Sequence, residues 1–269
     1  MFYSERTVPA YRYRRGSSPL IVSMPHAGTF VPRSVGRSLA DCAAQRSDTD
    51  WHIPRLYDFL GELDATVIEA SYSRYVVDVN RPPDGANLYP GRDTPRLCPI
   101  DTFDRRALYR SGEPSAAEVA RRVVAIWKPY HDRLAREVER VRAANRAAIV
   151  WDAHSIVSVA PRLFDGRLAD FNLGTADGAS CDRALAAQLV AALRRHAPRT
   201  SVLDGRFKGG YITRHYGAPG ASVHAIQMEM AQACYMDETS PYTFRAARAA
   251  PIRSILREQL EIEIGRAHV

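Results

Sequence analysis

The sequence predicts one α/β domain, in which apolar strands alternate with amphipathic helices. Two short apolar runs, Leu20–Met24 and 147–151, have the length and composition of buried strands. Residues 115–145 and 181–196 repeat apolar side chains at steps of three and four, the spacing of helices with one buried face. A chain of 269 residues with 46% hydrophobic content can bury a sizeable core, so we treat residues 1–269 as a single domain.

The first half of the chain supplies four further elements. Residues 1–17 end in a stretch rich in Tyr and Arg that fits an edge strand or an arm. The strand at residue 20 stops at Pro25, because proline cannot donate to a sheet ladder. A short helix is predicted around 37–44, and another begins at the capping residues of 47–50. Thr66–Ala70 predicts the next strand.

The second half opens with a long irregular segment. Residues 84–114 are rich in Pro, Gly and Asp, and a loop of that length in a compact domain is usually functional or disordered, so we predict a cover over the site. Pro129 should kink the long helix. Residues 170–175 are interpreted as a loop, 223–230 alternate as a strand does, and 241–264 form the last helix.

Charge and cysteine usage exclude several classes of protein. The net charge of +7 is spread along the chain without a run of like charges, which argues against a nucleic-acid tail and favours anionic small molecules. The four cysteines form no CxxC pair, so neither a thiolate zinc site nor a disulfide framework is supported. With no signal-type segment and no apolar run of membrane length, we expect a cytoplasmic protein. The oligomeric state stays open, a homo-oligomer included.

Two histidines follow apolar strands and are candidate metal ligands. His26 comes two residues after the first strand, and His154 follows the strand at 147–151. In open α/β sheets ligands bind at the carboxyl ends of strands, which places both histidines at the expected site. We therefore hypothesise that both bind one zinc ion. A hydrogen-bonded structural role is the alternative for either histidine alone.

Acidic residues complete the pattern of a zinc hydrolase. Such enzymes use three protein ligands, an open position for water and a nearby base. His26, Asp50 and His154 supply the ligands in this interpretation, and Glu229, embedded in an apolar strand, supplies the base. Asp48 remains an alternative to Asp50, since N-capping explains the presence of either aspartate.

Three arginines are candidate ligands for substrate carboxylates. Arg74 and Arg81 flank an apolar-rich centre, and Arg214 follows a Gly-Gly pair. The planar guanidinium matches a carboxylate with two parallel hydrogen bonds, which suits all three to this role. A solvated surface edge is the alternative explanation.

Six segments, in order along the chain, together resemble a known family. They are residues 23–28, 48–52, 73–83, 152–156, 204–214 and 227–232. These motifs look like those of the N-formylglutamate amidohydrolases. The likeness runs from about residue 20 to about residue 240.

The resemblance implies both a fold and a reaction. The fold would be a three-layer domain with a central, mixed, mostly parallel sheet flanked by helices, similar to zinc exopeptidases and to phosphorylase/hydrolase-like proteins. The reaction would be zinc-dependent hydrolysis of N-formyl-L-glutamate to L-glutamate and formate, the last step of a histidine-degradation route. His26, Asp50 and His154 would hold zinc or another divalent metal, and Glu229 would act as base.

Two other classes of function compete with this reading. One is another metal-dependent amidohydrolase, acting on a different N-acyl amino acid or on a cell-wall amide. The other is a non-catalytic protein that binds small dicarboxylates. Release of formate from N-formylglutamate separates the first reading from both alternatives.

Overall fold

The computed structural model describes residues 8–267, and these residues contain one seven-stranded sheet. Its strands are β1 (Tyr11–Arg14), β2 (Leu20–Met24), β3 (Thr66–Ala70), β4 (Ala148–Ile156), β5 (Phe171–Gly174), β6 (Ser201–Leu203) and β7 (Val223–Ala231). They lie in the order β1-β3-β2-β4-β7-β5-β6. Residues 1–7, which we examined for a signal segment, lie outside the described part of the chain.

The centre of the sheet is parallel and its edges are mixed. Strands β3, β2, β4 and β7 run parallel to one another. At one edge β1 pairs antiparallel with β3, and at the other β5 pairs antiparallel with β7 while β6 runs parallel to β5. The predicted mixed, mostly parallel sheet is therefore confirmed, and 11–14 form the edge strand.

Helices cover both faces of the sheet. They are α1 (Arg33–Gly36), α2 (Ile53–Leu56), α3 (Ala116–Arg122), α4 (Lys128–Asn145), α5 (Arg183–Arg194), α6 (Tyr211–Tyr216) and α7 (Ala246–Ala267). Helices α2, α5 and α7 pack on one face, and α4 and α6 pack on the other. This arrangement confirms the three-layer domain.

The sequence of β4 shows why both faces are covered. Ile149 and Trp151 point into the core under α5 and α7, whereas Ala148 and Val150 point into the core under α4. A strand that is buried on both faces is apolar at every position rather than at alternate ones. The continuous apolar run that predicted this strand has that cause.

The long helix contains one wide turn. A π-helical segment, Val123–Trp127, joins α3 to α4, and the Lys128 N–H donates to the carbonyl of Val123, five residues back. Pro129, just after it, has no N–H to donate to the preceding turn. A π turn is one of the usual adjustments at an interruption of the helix ladder, and it stands where the kink was predicted.

Two strand predictions needed correction. Strand β4 extends to Ile156, so His154 lies within the strand rather than after it. Residues 171–174, expected in a loop, form the fully buried strand β5. Its polar residue Asn172 is accommodated because its side-chain amide donates to the Glu229 carbonyl at 3.0 Å and to the Ala169 carbonyl at 2.8 Å.

The short helices also differ from the prediction. The expected helix at 37–44 is replaced by α1, which ends before it, and by a 3₁₀ turn at Asp41–Gln45. Residues 47–50 do not cap α2, because the residue before this helix is His52, in the left-handed conformation with φ 64°. Both aspartates of that cluster are therefore free for another role.

The segment between β3 and α3 contains turns and isolated bridges but no helix or strand. It includes the predicted cover, residues 84–114. None of the helices within residues 8–267 has the length and apolar character needed to cross a bilayer.

Candidate active site

One face of the sheet changes from apolar to polar at the same level on two neighbouring strands. On β4, Ala148 and Val150 belong to the apolar core, whereas Asp152 and His154, further along the same face, do not. Strand β7 repeats the change, from apolar positions at its start to Gln227 and Glu229, and His154 is paired in register with Glu229. Parallel strands bring their carboxyl ends together, so these polar side chains converge.

His26, Asp50 and His154 form a compact buried group at this edge. Potential ligand atoms of the three lie within 4.8 Å of one another. Asp50 Oδ2 lies 3.0 Å from His154 Nδ1 and 3.7 Å from His26 Nδ1. The backbone fixes Asp50 as well, because its N–H donates to the His26 carbonyl at 3.1 Å and its Oδ2 accepts from the Ser155 N–H at 3.2 Å.

The second nitrogen of each histidine is held by another carboxylate. His26 Nε2 donates to Asp78 Oδ1 at 2.6 Å, and His154 Nε2 lies 3.0 Å from Asp152 Oδ2 and 2.9 Å from the side-chain nitrogen of Asn80. Arg74 in turn donates to Asp78 Oδ2 at 2.7 Å. A carboxylate on the far side of a histidine orients the ring and makes its other nitrogen a better ligand.

Electrostatics keep Asp50 and Asp78 ionised although both are buried. Burial raises the pKa of Asp50, but hydrogen bonds from His154 and His26 outweigh it and hold the pKa below its usual range. Burial likewise raises the pKa of Asp78, and His26 and Arg74 reverse the shift. Burial lowers the pKa of His154, but Asp152 and Asp50 raise it well above its usual value. The group therefore concentrates negative charge that a cation would neutralise.

The donor set fits a divalent metal such as zinc. Two imidazole nitrogens and one carboxylate oxygen form a common set of three protein ligands for catalytic zinc. Ligand atoms about 2.1 Å from a tetrahedral ion lie about 3.4 Å apart, and the separations of 3.0 and 3.7 Å here fall on either side of that value. We conclude that these residues can hold the ion with small adjustments.

Asp48 points to different partners from Asp50. Its carboxylate accepts from the Phe103 N–H at 2.9 Å and from the Ser47 hydroxyl at 3.0 Å. Burial raises its pKa to about 6, against the lowering effect of Arg74 and of these hydrogen bonds. Within residues 8–267, the group that can hold a metal includes Asp50 and not Asp48.

Glu229 is a buried carboxyl group beside His154. Burial raises its pKa to about 8, although the charges of His154 and Arg74 act in the opposite direction. Its Oε2 accepts from the Gln227 side-chain amide at 3.2 Å, and Gln227 Oε1 accepts from the Gly210 N–H at 2.8 Å. A carboxyl group poised near neutral pH can both accept and release a proton.

These side chains border a cavity of about 560 Å³, a volume that includes open solvent at its mouth. Tyr89, Thr94, Pro95 and Phe103, all from residues 84–114, line it from the side of that segment. Gly210 lines it as well and lies so close to Asn80 that an added Cβ would be 2.5 Å from the Asn80 amide nitrogen.

Two of the three predicted arginines reach the cavity. Arg74 and Arg81 line it, and so does Arg206, which we had not singled out. Arg214 is not among the residues that line the cavity, and its role as a carboxylate ligand stays a prediction. Its Nε donates to the Gly209 carbonyl at 3.0 Å, which holds the side chain beside the start of its own helix.

A model of the N-formylglutamate amidohydrolase family matches residues 18–236, most of the chain. The chain belongs to the N-formylglutamate amidohydrolase family. The match contains every residue of the group described above, from His26 to Glu229.

Relatives within this family are similar over nearly their whole length. An N-formylglutamate deformylase of Pseudomonas aeruginosa is 53% identical over 93% of this chain and 94% of its own, and one of Pseudomonas putida is 48% identical over 93% of each. A crystal structure of an N-formylglutamate amidohydrolase from Ralstonia eutropha covers 97% of both chains with a TM-score of 0.80 and 24% identity. A protein of Agrobacterium tumefaciens gives a TM-score of 0.73 at 21% identity. The two structures support the fold.

Sequence reasoning missed the residues that support the ligands in this amidohydrolase. Asp152 and Gln227 each stand two positions before a candidate functional residue on the same strand. The alternation of side chains along a strand places such pairs on one face, which is the signal that would have identified them. Asp78 offered no comparable signal, because it approaches His26 from a segment without regular structure.

Proposed function

We propose that this chain hydrolyses N-formyl-L-glutamate to L-glutamate and formate with the help of a divalent metal, zinc in the first instance. The observation that carries the proposal is the joining, in one cavity, of the three-residue ligand group, the carboxyl group of Glu229 and unpaired arginines. The names of the two Pseudomonas relatives support the choice of substrate.

His26, Asp50 and His154 would hold the ion, with Asp78 and Asp152 orienting the two histidines. When bound, the ion polarises the formyl oxygen and lowers the pKa of an attacking water towards ~7. The carboxylates of the group remain ionised for this purpose because their protein partners outweigh the effect of burial.

Glu229 acts as the base and then as the acid. Its carboxylate takes a proton from the attacking water while the water oxygen bonds to the formyl carbon. The C–N bond then breaks, and Glu229 returns the proton to the departing amine nitrogen. The positive charge of Arg74 lowers the pKa of Glu229, and the charge of a bound ion would act in the same direction, which favours the ionised form that this role requires.

Arg81 is the substrate-binding arginine that the cavity supports best. It lines the cavity, and its Nε donates to the Pro95 carbonyl at 3.1 Å, which leaves its terminal nitrogens for a carboxylate. Arg74 lines the same cavity, but Asp78 already accepts from it, so we assign Arg74 to holding the ligand group.

The biological setting completes the proposal. The motifs noted in the sequence resemble those of enzymes at the last step of a histidine-degradation route, so we place the reaction there and in the cytoplasm. A strain that lacks this chain should then accumulate N-formylglutamate when histidine is its nitrogen source.

The decisive experiment is a formate-release assay on the purified protein with N-formyl-L-glutamate, before chelation, after chelation and after zinc is added back. We expect the rate to fall to background on chelation and to recover with zinc. If elemental analysis shows that the chelated protein is free of metal and the rate of formate release is unchanged, the proposed role of the metal is wrong. A zinc-loaded protein that released no formate would overturn the substrate, and other N-acyl amino acids would be tested next.

A further inference from the structure

Arg206 is a half-buried cation on the cavity wall without a carboxylate beside it. Within residues 8–267 it forms no ion pair. Its Nε donates to the Leu163 carbonyl, and its guanidinium lies over the rings of Tyr89 and Phe207 at 5.4 and 5.3 Å. A partly desolvated cation held in place by neutral groups favours an anionic ligand.

The two arginines lie on different parts of the cavity wall. Arg81 follows Asn80, whose side-chain amide nitrogen lies 2.9 Å from His154 Nε2, and the Arg81 N–H donates to the Asp78 carbonyl at 3.2 Å. Arg206 is held instead by the Leu163 carbonyl and the rings of Tyr89 and Phe207. Arg81 therefore lies next to the residues that support the ligand group, and Arg206 lies on the part of the wall formed by Leu163, Tyr89 and Phe207.

The two carboxylates of N-formylglutamate lie at different distances from the formamide group, just as the two arginines lie on different parts of the cavity wall. The α-carboxylate is attached to the carbon that carries the formamide nitrogen, whereas the side-chain carboxylate is separated from that carbon by two further methylene groups. We propose that Arg206 binds the side-chain carboxylate while Arg81 binds the α-carboxylate, so that Arg206 makes the enzyme specific for an acidic substrate side chain. This inference rests on the function proposed above and deepens it.

The geometry of Arg206 suits this role. The bond from Nε to Leu163 and the two aromatic rings fix the plane of the guanidinium, while both terminal nitrogens stay available for the two oxygens of one carboxylate. Lysine could supply the charge but not this planar pair of donors. A carboxylate between Arg81 and Arg206 would also relieve the repulsion between the two cations.

The test compares N-formyl-L-glutamate with N-formyl-L-glutamine, which has the same length but an uncharged side chain. In the Arg206→Met enzyme, kcat/KM for the glutamate substrate should fall by about 10- to 100-fold, the usual effect of losing a hydrogen bond to a charged group. The rate with the glutamine substrate should change little. The Arg206→Lys enzyme should keep a preference between those of wild type and Arg206→Met.

Arg92→Met is the matched control. The Arg92 N–H donates to the carbonyl of Tyr89 at 3.1 Å, so this arginine also lies near the ring that Arg206 contacts, but Arg92 is exposed and does not line the cavity. This enzyme should keep the wild-type ratio of the two substrates. The ratio is measured within each variant, so a loss of folded protein cannot imitate a loss of preference.

The outcomes separate this inference from the proposed function. If the wild type prefers N-formyl-L-glutamate and Arg206→Met keeps that preference, or loses both substrates equally, the role of Arg206 is wrong and the proposed function stands. If Arg206→Met does not fold, an unchanged ratio in Arg206→Lys and in Arg206→Gln overturns it equally. If the zinc-loaded wild type releases formate from neither substrate, the proposed function itself fails.

Discussion

The two ends of the cavity are built in different ways. At one end His154 and Glu229 lie on paired strands, and both histidines of the ligand group have their second nitrogen bound to a carboxylate. At the other end Arg81 and Arg206 lie in segments without regular secondary structure, and within residues 8–267 neither forms an ion pair.

This difference indicates that one end of the cavity performs the chemistry and the other end recognises the substrate. Groups that perform chemistry need fixed positions, which the strand ends and their hydrogen bonds supply. Groups that recognise a substrate need unsatisfied charge, and loops can provide it without disturbing the sheet. The predictions below each change one residue, at one end of the cavity in every case but the last, and ask whether the effect stays at that end.

The largest effect should come from Asp50→Asn. The substitution keeps the shape of the side chain but removes the negative charge that His26 and His154 face. We expect the protein to lose bound zinc and formate release to fall to background. Zinc content would be measured by elemental analysis after reconstitution, alongside the rate.

Asp48→Asn is the control for that variant. Asp48 is also buried, but its partners are Phe103 and Ser47 rather than the two histidines. We expect zinc content and kcat close to the wild-type values, because Asp48 is not in the group that can hold a metal. Loss of zinc in this variant and not in Asp50→Asn would reverse the assignment of the third ligand.

Glu229→Gln should leave the metal end assembled and remove its base. Loss of a general base lowers kcat by about 10²- to 10⁴-fold. The Gln227 amide that donates to Glu229 can donate to the new side-chain oxygen instead, so the local structure should persist. Full kcat with zinc bound would refute the assignment, and a zinc-free variant would move Glu229 into the ligand group.

Asp78→Asn should have a smaller effect, on metal affinity. Asp78 accepts from His26 and Arg74 but is not itself in the ligand group. Loss of such a supporting carboxylate usually weakens metal binding by about 10- to 100-fold. Competition with a chelator of known affinity would measure the change, and excess zinc should restore most of the rate. A rate that excess zinc cannot restore would give Asp78 a role beyond orientation.

The two ends also differ in how far the sequence alone could predict them. His26, His154 and Glu229 follow or lie within apolar runs, so the strand pattern itself pointed to them. Arg206 lies in a bend between β6 and α6, where no periodicity relates a residue to the cavity. Arg214 was preferred for its position after the Gly-Gly pair, but the turn of helix α6 takes it away from the lining.

The fold shows the same limit. Strand β2, which is buried at every position, and strand β3, which is buried at alternate positions, were both predicted to the residue. Strand β5 was missed because its four residues include Asn172, whose burial depends on hydrogen bonds to Ala169 and Glu229 carbonyls. The similarity to zinc exopeptidases remains a prediction.

Arg81→Met tests the substrate end close to the chemistry. The α-carboxylate is common to N-formyl-L-glutamate and N-formyl-L-glutamine, so kcat/KM should fall by about ten-fold for both substrates, as for one lost charged hydrogen bond. The ratio between them should stay at the wild-type value, in contrast to Arg206→Met. A change confined to the glutamate substrate would exchange the roles of the two arginines.

The smallest effect on activity is expected for a change far from either end of the cavity. This change tests whether the hydrogen-bonding and ionic partners of a buried carboxyl group, rather than burial alone, decide whether it is ionised, as we argue for the carboxylates of the metal end. Glu263 on α7 is fully buried, and neither carboxyl oxygen has a hydrogen-bond partner in the described part of the chain. Burial raises its pKa well above the usual value, opposite to Asp50 and Asp78.

A raised pKa in the folded state means that the free energy of unfolding is largest at low pH and declines as pH rises above the ordinary pKa of the carboxyl group. Glu263→Gln, which has no proton to lose, should therefore gain stability relative to the wild type between pH 5 and pH 8, by at most about 1.4 kcal/mol per pH unit, the slope for one proton. Urea unfolding of both zinc-loaded proteins across that range would measure the difference. Parallel stability curves would mean that Glu263 has a partner in solution, and burial alone would then no longer explain its raised pKa.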